Sequence, residues 1–151
     1  MKKYFGMLAL IMVSAAMLPK TGSAAVAVDP RLKKLETPFE DARDHFREGK
    51  LDKAHQDIQK AIVYFEGLHE TIDGRARKLI RNSIVEMERL QTQIQGEPAA
   101  ARTHLLPVYE NAVSALLEHI RKPYGNPTGK LIPRQDVALI KEKLVQDFLK
   151  G

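Results

Sequence analysis

The sequence predicts an all-α protein, an up-and-down bundle of four to five helices that follows an N-terminal signal peptide. Three observations carry this. Apolar residues recur at steps of three and four from Leu32 to Phe148, the spacing that lines up side chains on one face of a helix. No useful length of the chain alternates with the period of two that a half-buried strand needs. Glycine and proline fall between the periodic runs and punctuate them.

The N-terminal segment comes first. Lys2 and Lys3 precede an uncharged apolar run from Tyr4 to Leu18, Pro19 breaks it, and small residues follow from Thr21 to Ala27. This is the layout of a secretory signal peptide. Cleavage is expected after Ala27, with Ala25 as the alternative. A retained anchor wants about 20 apolar residues, and this run is shorter. The expected organisation is therefore a signal peptide over 1–27 and a helical domain over 28–151, placed in the periplasm or secreted.

Removal of that segment changes the charge. The whole chain holds 24 Lys and Arg against 19 Asp and Glu, a net charge of +5. Lys2, Lys3 and Lys20 leave with the signal peptide, and the remaining chain is near +2. A global electrostatic case for nucleic acid goes with them. The absence of cysteine excludes disulfides, thiolate metal sites, a lipoprotein anchor and covalent c-type haem. Residues 28–151 suffice to bury roughly two thirds of their unfolded surface without such staples.

Asp29-Pro30 is an N-cap followed by proline at the first helical position. Leu32, Leu35, Phe39, Ala42 and Phe46 then form one stripe. Thr37-Pro38-Phe39-Glu40 repeats the start signal, leaving one helix or two pieces, 30–36 and 38–48, as alternatives. Gly49 ends the run. Asp52 is expected to cap a second helix with Ala54, Ile58, Ala61, Ile62 and Phe65 inward, fading between Gly67 and Gly74. A third helix is expected over 75–95, with Leu79, Ile80, Ile84, Met87, Leu90 and Ile94 inward. Pro98 opens a fourth, with Leu105, Tyr109, Ala112, Val113, Leu116, Leu117 and Ile120 on its apolar face; Pro107 either kinks it or marks its start. Residues 122–129 read as loop. Pro133 starts a last helix with Val137, Ile140, Leu144 and Phe148 inside.

Residues 45–61, His-Phe-Arg-Glu-Gly-Lys-Leu-Asp-Lys-Ala-His-Gln-Asp-Ile-Gln-Lys-Ala, carry a glycine at the turn (Gly49), then Ala54, Ile58 and Ala61 at offsets of five, four and three. This segment resembles the turn and second helix of a tetratricopeptide hairpin. Small residues let two antiparallel helices approach, and the apolar one fills the gap. The match covers one repeat: a period of about 34 residues lands on Glu88, where the pattern is missing. The resemblance implies protein–protein interaction through helical faces.

Candidate chemistry is sparse. Glu66-Gly67-Leu68-His69 has the spacing of a di-iron bundle motif, but such sites need a second copy and two further glutamates. Among the five histidines no two lie three or four apart, so a metal site would need several helices. His45 and His55 flank the Gly49 turn and Asp41 precedes His45 by four, which makes the hairpin mouth the candidate metal locus. Met87, in register with Ile80, Leu90 and Ile94, reads as core and not as a haem ligand. Ser83 and Ser114 lack the surroundings of a nucleophile, and no Gly-rich phosphate loop is present.

One asymmetry stands out. Arg75, Arg77, Lys78 and Arg81 fall within seven residues at the start of the third helix, with no acid between Asp73 and Glu86. Positive side chains at a helix N-terminus oppose its dipole, so helix stability does not account for them. The expectation is a non-enzymatic helical protein without cofactor. It would bind a protein partner or an anionic envelope surface, not nucleic acid, and self-association stays open. The alternative is a small metal- or ligand-binding bundle with its site between helices.

Overall fold

The computed structural model describes residues 29–123 and 129–151. The segment expected to be a signal peptide, 1–27, and most of the 122–129 loop, including Tyr124, lie outside these residues. Among the described residues every regular element is helical: α1 (Pro30–Arg47), α2 (Leu51–Thr71), α3 (Gly74–Gly96), α4 (Pro98–Ile120) and α5 (Arg134–Lys150). None is long and apolar enough to cross a membrane.

Short links make consecutive helices antiparallel neighbours. Gly49 turns the chain between α1 and α2 at φ 70°, and Gly74 does so as the first residue of α3 at φ 68°. Both are left-handed conformations that a side chain would strain. A single residue, Glu97, separates α3 from α4. Cross-links keep the helices in step: Gln93 meets His104 and Glu86 meets Asn111, each at 2.8 Å. α1 also packs on α4, so the first four helices close into a bundle, and α5 lies against α4.

The inward residues follow the apolar stripes. Leu35, Phe39, Ala42, Ala54, Ile58, Ala61, Phe65, Ile80, Met87, Leu116 and Ile120 have no exposed surface. Tyr109 of α4 links the layers: its ring stands 5.3 Å from Phe39 of α1 and is stacked at 4.5 Å on Phe148 of α5.

Packing decides between the alternatives that the local start signals leave open. α1 runs unbroken through Pro38, and the Thr37 hydroxyl, instead of capping a new helix, donates back to the Lys33 carbonyl at 3.0 Å. α4 likewise runs through Pro107. In both helices the apolar stripe keeps its phase across the proline, so tertiary packing outweighs one missing hydrogen bond. Asp52 lies inside the first turn of α2 without capping it, and α2 continues past Gly67 to Thr71. Leu79, Ile84 and Val137 are only half-buried and pack on the edge of the core, while Ala76 and Ser83 join Ile80, Met87, Leu90 and Ile94 as buried residues of α3.

α5 is fastened at both ends. At its start the Ile132 amide donates to the Arg121 carbonyl at 2.8 Å, and the buried Glu118 lies 3.6 Å from Arg134 and 3.8 Å from Arg121. At its end Arg43 and Arg47 of α1 donate to the main-chain carbonyls of Phe148 and Gly151.

Candidate functional site

The basic turn forms where α3 begins. Ala76 and Ile80 are buried, and the 3.6-residue period then directs their neighbours outward. Arg75, Arg77, Lys78 and Arg81 are accordingly all exposed. Arg77 lies 4.0 Å from Asp73, itself almost fully exposed. Among the described residues Arg75, Lys78 and Arg81 have no ion-pair partner. No acid occupies the first turn of α3, so the positive end of the helix dipole adds to the side-chain charges. The Lys122 ammonium, from the end of α4, lies 3.9 Å from where a side chain on Gly74 would begin. The sequence placed four of these charges; Lys122 joins them only through the packing of α4 on α3.

The same end of the bundle holds a partly buried polar cluster around the buried Asp29. Asp29 caps α1 by accepting the Arg31 amide at 2.9 Å, and its carboxylate grips the Arg31 guanidinium at 3.0 and 2.6 Å. Burial works to raise the Asp29 carboxyl, but the hydrogen bonds from Arg31 outweigh it and hold the group below the ordinary carboxylate range. The Tyr64 hydroxyl donates to the Arg31 carbonyl at 3.0 Å, and burial pushes that phenol up to about 12. On α4, His119 is lowered, first by burial and then by the positive charges of Arg31 and Lys122, with Asp29 opposing. The Tyr64–Arg31 bond ties α2 to α1 behind the basic turn, with His119 of α4 close enough to feel the Arg31 and Asp29 charges.

At the opposite end sits the α1–α2 hairpin. Beyond the Gly49 turn, Ala54, Ile58 and Ala61 are fully buried. The residue that engages His45 is neither His55 nor Asp41: the His45 Nδ1 lies 2.5 Å from the carboxylate of Asp57. Asp57 is buried and takes a second hydrogen bond, from Lys60, at 2.9 Å. Asp41 is exposed, and the His55 carbonyl accepts from Gln91 of α3 at 3.2 Å. Among the described residues no group of three or more His, Asp or Glu side chains is placed to hold a metal ion. Asp57 is not marked in the sequence, because a polar residue on a predominantly apolar face carries no periodic signal.

The chain matches no protein-family model, no curated protein and no solved structure.

Proposed function

We propose that the protein is exported, loses residues 1–27, and works by binding and not by catalysis. It docks on an acidic protein partner or the anionic envelope surface through the turn of Arg75, Arg77, Lys78 and Arg81. The observation that carries this reading is the exposure of all four basic side chains on one helix start that lacks an acid in its first turn. Solvated positive charges beside a positive helix end favour an anionic surface. Export rests on the charge and length pattern of residues 1–27, and the amino terminus of the exported protein should read Val28 or Val26.

Binding of the mature protein to anionic and zwitterionic vesicles, and capture of partners from a periplasmic extract, test the reading across a salt series. Exposed charges are screened over about 10 Å at 0.1 M salt, so binding should weaken steeply as salt rises. Reversing Arg77 and Arg81 to Glu together should abolish binding and leave helix content and melting nearly unchanged. Binding of that double variant as tight as wild type at every salt concentration would eliminate the basic turn as the docking surface.

A further inference from the structure

A cavity of about 200 Å³ opens where the C-terminal ends of α1 and α5 meet the N-terminal part of α4, at the far end of the bundle from the basic turn. Phe46, Leu105, Leu106, Phe148 and Leu149 supply its apolar wall. Three arginines complete the lining: Arg43, Arg47 and Arg102. Arg47 and Arg102 are exposed and form the rim. An apolar interior edged by guanidinium groups selects for charge as well as shape.

The arginines are not equally committed. Arg43 uses its Nε on Asp44 at 2.9 Å and its Nη1 on the Phe148 carbonyl, and its guanidinium lies 5.0 Å over the Phe148 ring. Arg47 donates one N–H to the Gly151 carbonyl and stands 3.5 Å from the same Asp44. Arg102 makes no hydrogen bond or ion pair among the described residues. Each guanidinium has five N–H donors in a planar fork, so Arg47 keeps donors to spare and Arg102 keeps all of them. Among the described residues Asp44 is the one side-chain acid paired with this set, and it cannot balance three arginines.

The undescribed parts of the chain do not supply the missing negative charge. Residues 1–28 contain Lys2, Lys3 and Lys20 and no acid, and residues 124–128 contain no charged side chain. A bound molecule that carries negative charge would complement this lining. At about 30 Å³ per water-sized group, the space holds roughly six or seven methylene-sized units. We propose that this cavity binds a small anionic amphiphile, its single acyl or alkyl chain against Phe46, Leu105, Leu106 and Phe148 and its head group on Arg47 and Arg102. Carboxylate and phosphate both match the guanidinium fork; the head group is the shared chemistry, and a free carboxylic acid or an alkyl phosphate would supply it.

The test titrates the full mature protein at low salt with sodium octanoate, octyl phosphate, octylammonium and propionate, all below their aggregation concentrations, and follows heat and backbone amide resonances. Octanoate, octyl phosphate or both should bind, shifting the resonances around Phe46, Leu105 and Phe148; which of them binds more tightly identifies the head group. Octylammonium, with the wrong charge, and propionate, without a chain, should bind at least tenfold more weakly. Arg102→Glu, at an exposed position, should lose at least tenfold in affinity with unchanged helix content, and Arg102→Lys should recover part of it. The proposal is overturned if neither anion binds, if octylammonium binds as well as octanoate, or if Arg102→Glu binds like wild type. Concentration-dependent dimerisation that buries the same resonances and is unaffected by octanoate would also overturn it, by assigning the cavity to a second copy of the chain.

Discussion

His45 and Asp57 are joined across the first helical hairpin by a 2.5 Å bond from the imidazole Nδ1 to a buried carboxylate. The second carboxylate oxygen takes its hydrogen bond from Lys60, three residues along the same helix. One acid thus ties α1 to α2 and organises a local cation as well. Asp57→Ala should destabilise the fold by about 1–3 kcal/mol, because it removes two charge-assisted bonds and leaves the imidazole without its partner. Asp57→Asn, which keeps one acceptor, should cost less. Urea unfolding of the two variants measures both, and a neutral Asp57→Ala would show that the bond adds nothing to stability.

His119 sets an acid limit on stability. Its folded-state value lies below the ordinary 6.5, chiefly through burial. As pH falls below that ordinary value the unfolded chain takes up the proton before the folded one, so stability present above it is lost on acidification. Melting temperature should drop between pH 7 and pH 5.5, and His119→Gln should flatten the slope. Asp29 acts in a separate window: its lowered carboxyl contributes stability that is full above about pH 4 and is lost only as pH falls through its folded-state value.

Tyr109 is buried between Phe39 and Phe148, and its hydroxyl has no hydrogen-bond partner among the described residues. Tyr109→Phe keeps the ring contacts and removes the unsatisfied group. It should leave stability unchanged or raise it by up to about 1 kcal/mol. Phe148→Ala, which removes the stacked partner and much of what holds α5, should cost about 3–5 kcal/mol. Thermal melts of the pair would separate ring packing from hydroxyl bonding.

Ala61 has no exposed surface and lies on the same face of α2 as Ala54 and Ile58. A larger side chain there has to push the core aside. Ala61→Leu should cost on the order of 1–3 kcal/mol by overpacking, read as a lower midpoint in denaturant at an unchanged slope. An unchanged midpoint would mean that the site accepts volume, and would remove the reason for a small residue in the hairpin pattern.

The helices were legible because each spends its apolar residues on one stripe. Leu32 through Phe46 and Leu105 through Ile120 announce a buried face whatever their neighbours do. What packing decides was not legible. Thr37-Pro38 has the local chemistry of a helix start, yet the stripe on both sides holds the helix continuous. Asp57, Ser83 and Glu118 are buried polar residues, and periodicity marks only apolar ones. The four charges of the basic turn are adjacent in sequence and were read directly. Lys122 and the Arg43–Arg47–Arg102 set come together only after distant helices dock, so no local window contains them.

The single-residue link at Glu97 also bears on how fast the protein acquires its shape. α3 and α4 can meet after almost no chain has to be closed, whereas α1 reaches α4 only across two intervening helices, and loop-closure entropy rises with that separation. The α3–α4 hairpin is therefore expected to order early, on the rapid timescale of helical proteins with local contacts, and α5 to dock late. In rate measurements, truncating Leu90 in α3 should mainly slow refolding, and truncating Leu144 in α5 should mainly hasten unfolding. The reverse pattern would place the nucleus at the other end of the chain.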